Sequence, residues 1–144
     1  MKNVNHRAVI LSALLVMGLG FLWYGPLFGD KWMAFVGLDE AILEIKPPGA
    51  ATWITTIVAT VLSIYGLAWF FQQLDVDSGA NGAGMGLLIG FAFILLAKLR
   101  SNAFAMNPYG LSWISGGFDM VALAISGFVL GWWRKKQKKG QSPF

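Results

Sequence analysis

With 144 residues, 56% of them hydrophobic and only 12% charged, the chain has a mean hydropathy of +0.61. A soluble domain is about 25% charged, so a chain of this size cannot hide its apolar surface in water and needs lipid as its solvent. There is no cysteine and one histidine, His6, which excludes disulfides, thiolate metal sites, cysteine nucleophiles and a histidine metal cluster within one chain. The net charge of +4 is uneven, with five of the eleven basic residues between Arg134 and Lys139. That is a short cationic appendix and a poor nucleic-acid surface.

Four apolar stretches follow in order, about Ala8–Phe28, Thr52–Phe71, Ala83–Ala105 and Tyr109–Trp133. Each has the roughly 20 residues needed to cross about 30 Å of hydrocarbon. They lack the alternation of barrel strands, and only helices or closed barrels satisfy the backbone in lipid, so helices are predicted. The expected fold is all-α, an integral membrane four-helix bundle in one domain, with residues 134–144 as a basic tail. The first stretch starts behind basic Met1–Arg7, but it outruns a signal-peptide core of about 7–15 residues and no A-x-A site follows, so a retained helix is expected. The cationic tail is predicted to be cytoplasmic; four spans then bring the N-terminus, with Lys2 and Arg7, to the same side.

The first span ends in Trp23-Tyr24-Gly25-Pro26-Leu27-Phe28-Gly29. Gly-Pro weakens the helix and frees backbone groups, and the rings suit a membrane interface. An aromatic belt with a helix stop is the favoured reading. The alternative is an outer pocket walled by Trp23, Tyr24, Trp32 and Trp113, with charged residues at its floor. In the loop Gly29–Ala51, Trp32, Phe35, Val36, Ile42 and Leu43 recur at helical spacing, broken by Gly37. Two short interfacial helices are predicted, the second capped by Asp39 over Glu40–Ile45 and stopped by Pro47-Pro48. Gly79–Gly86 is glycine-rich, but it matches neither phosphate-binding fingerprint.

Lys98, Arg100 and Asp119 are the charged residues within the apolar stretches, apart from terminal fringes. A charge at the centre of a membrane helix costs about 2.5–3.5 kcal/mol, so such residues are paired, kept from lipid or placed beside water. The tight turn Met106–Pro108 folds spans three and four into an antiparallel hairpin. Lys98 then stands about nine residues before the turn and Asp119 about eleven after it, at depths about 3 Å apart. Lys98 is expected to face inward with Asn102 and Asp119. Arg100, about 200° away around the helix, snorkels toward headgroups. A structural staple is favoured over a proton or solute relay, since one acid and one base make a thin pathway.

Small residues let helix backbones approach where lipid offers no hydrophobic drive. Gly82, Gly86 and Gly90 make such a face on span three, extended roughly by Ala97 and Ser101. Gly127 and Gly131 make another on span four, beside the polar stripe Ser112, Ser115, Asp119, Ala122 and Ser126. Packing within the bundle is favoured over homo-oligomerisation. After Trp132 and Trp133, the residues Arg134, Lys135, Lys136, Lys138 and Lys139 are expected to determine topology and attract anionic lipid headgroups.

The run Trp23–Gly29, followed by Lys31-Trp32-Met33, resembles the signature of a widespread bacterial domain-of-unknown-function family of small four-helix membrane proteins. Gly117-Phe118-Asp119-Met120-Val121-Ala122-Leu123 through Gly131-Trp132 resembles that family's last helix, which reads G-Y-x-x-V-A-L and ends G-x-W, with Phe118 in place of the tyrosine. The resemblance implies the fold and a multi-pass protein of the bacterial inner membrane; it supplies no catalytic residues. No nucleophile–base pair, metal cluster or paired carboxylate is visible, so no enzyme and no cofactor is expected. The expected partners are membrane lipids, a second copy of the chain or a larger membrane complex, and no nucleic acid. A non-enzymatic helix-packing or accessory component is the first reading of function; a small-solute or proton carrier using Lys98 and Asp119 is the alternative.

Overall fold

Side chains that bond their own backbone mark where the helices begin. Asn5 accepts from the N–H groups of Arg7 and Ala8 and opens α1 (His6–Leu22). Asp39 accepts from Ile42 and opens α3 (Glu40–Ile45), the cap expected there, after α2 (Gly29–Val36) has ended on left-handed Gly37. Ser78 accepts from Asn81 and opens α5 (Gly79–Ile89), so the glycine-rich run begins a helix. Each of these caps occupies backbone N–H groups that a helix start leaves without a partner. The computed structural model describes residues 4–141, with the side chains among them except those of 135–139 and 141. The remaining helices are α4 (Ala50–Gln73), α6 (Leu96–Phe104) and α7 (Tyr109–Gln141).

Two π-helical segments interrupt the regular pattern. Trp23–Leu27 continues α1 and holds Gly25 and Pro26; the N–H of Phe28 donates to the carbonyl of Trp23, five residues back. Gly90–Leu95 joins α5 to α6 into one continuous rod, with the N–H of Leu96 donating to the carbonyl of Phe91. Among the described residues, four helical spans are therefore long and apolar enough to cross a membrane: His6–Leu27, Ala50–Gln73, Gly79–Phe104 and Tyr109–Arg134. The fold is all-helical, as expected, and both expected short helices are present between the first two spans. The chain runs up, down, up and down, so the start of the first span and the Arg134 end of the fourth lie on the same side. We call that the tail end, and the opposite one the hairpin end.

Buried apolar residues gather toward the tail end. α1 contributes Ala8, Val9, Ala13 and Val16; α4 contributes Ile64, Leu67, Ala68 and Phe71; α7 contributes Ala122, Val129 and Leu130. The first half of α4, from Ala50 to Ala59, is exposed throughout. α1 and α4 thus pack closely at one end and separate toward the other. His6 and Tyr65 tie the closed end, Nδ1 lying 2.7 Å from the tyrosine hydroxyl.

α1 and α7 run antiparallel, with Gly20 against the Phe118 ring and Trp23 bonded to Ile114. Eight residues further toward the tail on each helix stand Ser12 and Ser126, both fully buried. Neither hydroxyl has a hydrogen-bond partner among the described residues. A buried polar group without a partner costs about 1–3 kcal/mol. The double variant Ser12→Ala/Ser126→Ala is therefore expected to unfold at the same temperature as the parent or higher. A fall in the thermal midpoint would show that the two hydroxyls are bonded.

Candidate functional site

The α6–α7 hairpin brings together the charged residues singled out in the sequence. Lys98 Nζ lies 2.5 Å from Asp119 Oδ2 and also donates to the Ser115 carbonyl at 3.2 Å. Arg100 is exposed. Asn102 is on the inward face with Lys98, but it does not reach the carboxylate. Its amide donates to Ser112 Oγ at 2.8 Å, the serine donates to the Lys98 carbonyl, and Asn107 donates to the Asn102 side-chain oxygen. The hairpin is thus held by two polar layers, an ion pair below and an amide–hydroxyl relay nearer the turn. The side chains of Lys98 and Asp119 keep 37% and 28% of their surface exposed, so the pair is partly desolvated rather than sealed.

Breaking a buried pair by removing one partner costs about 3–5 kcal/mol, and exchanging both for apolar residues is often neutral. With this much exposure the single-partner loss should be smaller, about 1–3 kcal/mol. Asp119→Leu alone is expected to lower the thermal midpoint in detergent, and Lys98→Met/Asp119→Leu to recover most of it. A double variant as unstable as the single one would mean that the ions act separately.

The glycines named from the sequence all lie where span three packs against α7, and Gly82 and Gly127 meet each other. A Cβ on Gly82 would strike the Gly127 carbonyl, one on Gly86 the Leu123 carbonyl, and one on Gly131 the Ser78 carbonyl; one on Gly90 would come 2.6 Å from the Met120 Cα. The faces are therefore used within the chain. Gly79, against the Phe128 ring, and Gly116, which makes room for Leu95, extend this contact, while Gly117 meets the Trp23 ring of the first span. Ala97 and Ser101 do not continue the face; beyond the π-helical turn it runs through Leu95, Lys98 and Asn102, and Ser101 is exposed.

The aromatic residues separate into different roles. Tyr24 packs edge-on against Trp32 at 5.3 Å and in a tilted arrangement against Phe118 at 5.2 Å. Both Tyr24 and Trp32 line a cavity of about 510 Å³ between α1, α2 and α4. Trp23 does not line it, because its indole N–H donates to the Ile114 carbonyl at 2.9 Å. Trp113 is exposed and lies outside the lining. The nearest part of the hairpin is Phe118; Lys98 and Asp119 are not lining residues. Trp23 and Tyr24 are neighbours about 100° apart around the helix, so one ring turns to the Ile114 carbonyl of α7 and the other lines the cavity.

Arg134 is not a free headgroup ligand. Its guanidinium donates to the Phe71 carbonyl at 2.5 Å and the Val76 carbonyl at 3.1 Å, and pairs with Asp75 at 3.1 Å. It therefore satisfies a carbonyl in the last turn of α4 and holds the loop into α5. Hydropathy gives no sign of this, because a cation at a span end reads as a topology signal. The side chains of Lys135, Lys136, Lys138 and Lys139 lie outside the described residues.

No curated protein and no solved structure matches the chain. A family model does, over residues 7–131. That stretch takes in the second and third spans and nearly all of the first and fourth, with the aromatic π-helical turn, the glycine contact and the charged hairpin, and the chain belongs to the family described as protein of unknown function (DUF1761).

Proposed function

We propose that this is a non-enzymatic, multi-pass protein of the bacterial cytoplasmic membrane that serves as an accessory or assembly component, packing with a second copy or a larger membrane complex. The observation that carries the reading is the closed state of its polar hairpin. Lys98 spends its ammonium on Asp119 and Ser115, and Asn102 is engaged by Ser112 and Asn107. These are the residues that a carrier or a catalyst would need free. The cationic run after Trp133 supports a cytoplasmic tail, and the even number of spans takes the N-terminus with it.

One observation favours the carrier reading. The ion pair keeps about a third of its surface exposed and is not sealed within the bundle. The two readings separate in proteoliposomes. An accessory component is expected to give no proton or solute flux above protein-free vesicles, and to elute from a sizing column in mild detergent as an assembly larger than one chain. Asp119→Asn should reduce the yield of folded protein and leave the vesicle leak unchanged. Protein-dependent flux that Asp119→Asn abolishes while folding survives would replace the accessory reading with the carrier.

A further inference from the structure

The geometry points to the cavity between α1 and α4 as a binding site for one hydrocarbon chain of a membrane amphiphile, such as a phospholipid, whose polar head carries hydrogen-bond acceptors. The first argument is depth. Along α4 the lining runs from Thr52 to Thr60, and along α1 from Gly25 to Val16. At 1.5 Å per residue these are about 12 Å and about 13 Å. Val16 and Thr60 stand near the middle of spans His6–Leu27 and Ala50–Gln73, while Trp32 and Pro48 close the hairpin end. The cavity therefore reaches from one membrane surface to the bilayer centre, the depth of one leaflet in a core of about 30 Å.

The second argument is the distribution of polar atoms. Deep in the cavity the only hydroxyls are those of Thr56 and Thr60, and each donates to its own helix, to the carbonyls of Thr52 and Thr56. Methyl groups, Met17 and Phe21 remain to meet an occupant. Such a floor offers nothing to a sugar, an ion or a peptide backbone, and the desolvation of such ligands would go uncompensated. Residues with donors stand at the mouth: Tyr24, Trp32 and Trp53. Their O–H and N–H groups suit ester or carbonyl oxygens at the level where amphipathic rings sit. The third argument is access. The first half of α4 is exposed, so a chain can enter sideways from the bilayer, and about 510 Å³ lies within the range of small-molecule sites.

The test uses the full chain in nanodiscs of phosphatidylcholine, with a trace of phosphatidylcholine bearing a photoreactive diazirine at the end of one acyl chain. After illumination, adducts are mapped by peptide mass spectrometry. Adducts on Val16, Met17 and Thr60 are expected to exceed those on the exposed residues Leu62 and Leu88 by about tenfold. Thr56→Phe, which fills the cavity from α4, should remove the excess at Met17 and spare Leu88. Gly20→Leu should do the same from α1, while Gly18→Leu, exposed with open space around its Cβ, should not. Even labelling of all lipid-facing residues in the parent protein would overturn the proposal and leave only ordinary boundary lipid. An excess at Met17 that survives both filling variants would overturn it equally. Should one filling variant fail to fold, the other and the parent distribution still decide.

Discussion

Gly86→Leu is expected to abolish monodisperse folded protein. A Cβ at this position lands on the Leu123 carbonyl and within 3.0 Å of the Ala124 backbone nitrogen. Overpacking usually costs about 1–3 kcal/mol, because neighbouring side chains shift. Here the obstacle is the backbone of α7, so the two helices must move apart along their length. Gly82, Gly90, Gly127 and Gly131 share that contact and would lose it together. Lipid supplies no hydrophobic force to reseal the gap, and total stability is about 5–15 kcal/mol. Gly86→Ala should show the same effect in weaker form. Gly84→Leu is the matched control: it lies on the exposed side of the same helix with nothing within 4 Å of its Cβ, and it gains helix propensity. Size exclusion in detergent and the thermal midpoint report the outcome. Equal damage at Gly84 and Gly86 would assign the effect to the loss of glycine and remove the close contact from the account.

The second large effect concerns helix phase. A regular helix turns 100° per residue, so the face through Gly82, Gly86 and Gly90 would continue through Ala97 and Ser101. The π-helical turn Gly90–Leu95 absorbs one extra residue. The residues beyond it rotate back, and Leu95, Lys98 and Asn102 meet α7 instead. Removing the exposed Phe93 from the turn is therefore expected to leave a regular helix with these three residues still facing α7, and a folded protein. Inserting one alanine after Phe93 should rotate them away by about 100°. The ion pair and the Asn102–Ser112 bond would then be lost at once, and the protein with them. The chain has no native cysteine, so Asn102→Cys and Ser112→Cys introduce the only thiols and report the register by forming a disulfide. The expectation is crosslinking in the parent and the deletion, and none in the insertion. A crosslinked insertion variant would show that the turn does not set the phase.

That turn also marks where reading the sequence reached its limit. Hydropathy located all four spans, because length and apolarity are additive along the chain. The loop at Asn107-Pro108 was short enough to put Lys98 opposite Asp119, and Asp39 carried its capping role in its neighbours. A fixed 3.6-residue period, however, put Ala97 and Lys98 on two different faces and required both to point inward. No local residue announces the extra turn, which brings Leu95 against Gly116 of α7. The cavity was half legible for a similar reason. Tyr24 and Trp32 stood out as aromatic, but the threonine wall comes from a helix nearly thirty residues away that meets α1 closely only at the other end. The contacts of Arg134 were not legible because two of its three partners are backbone carbonyls, which every residue carries.

One consequence of the Arg134 contacts concerns motion. A single guanidinium fastens α7 to the end of α4 and to the loop that starts α5, and His6 with Tyr65 adds α1 to the same knot. At the opposite extremity, among the described residues, the stacked rings of Phe21 and Trp53 at 6.0 Å link α1 to α4, with no comparable rivet. The molecule is built like a clothes-peg, sprung at the tail and free at the jaws. Amide exchange should accordingly be slowest around Phe71 and quickest along Ala50–Ala59, and thermal breathing would widen the gap between the first two spans while the charged hairpin stays shut.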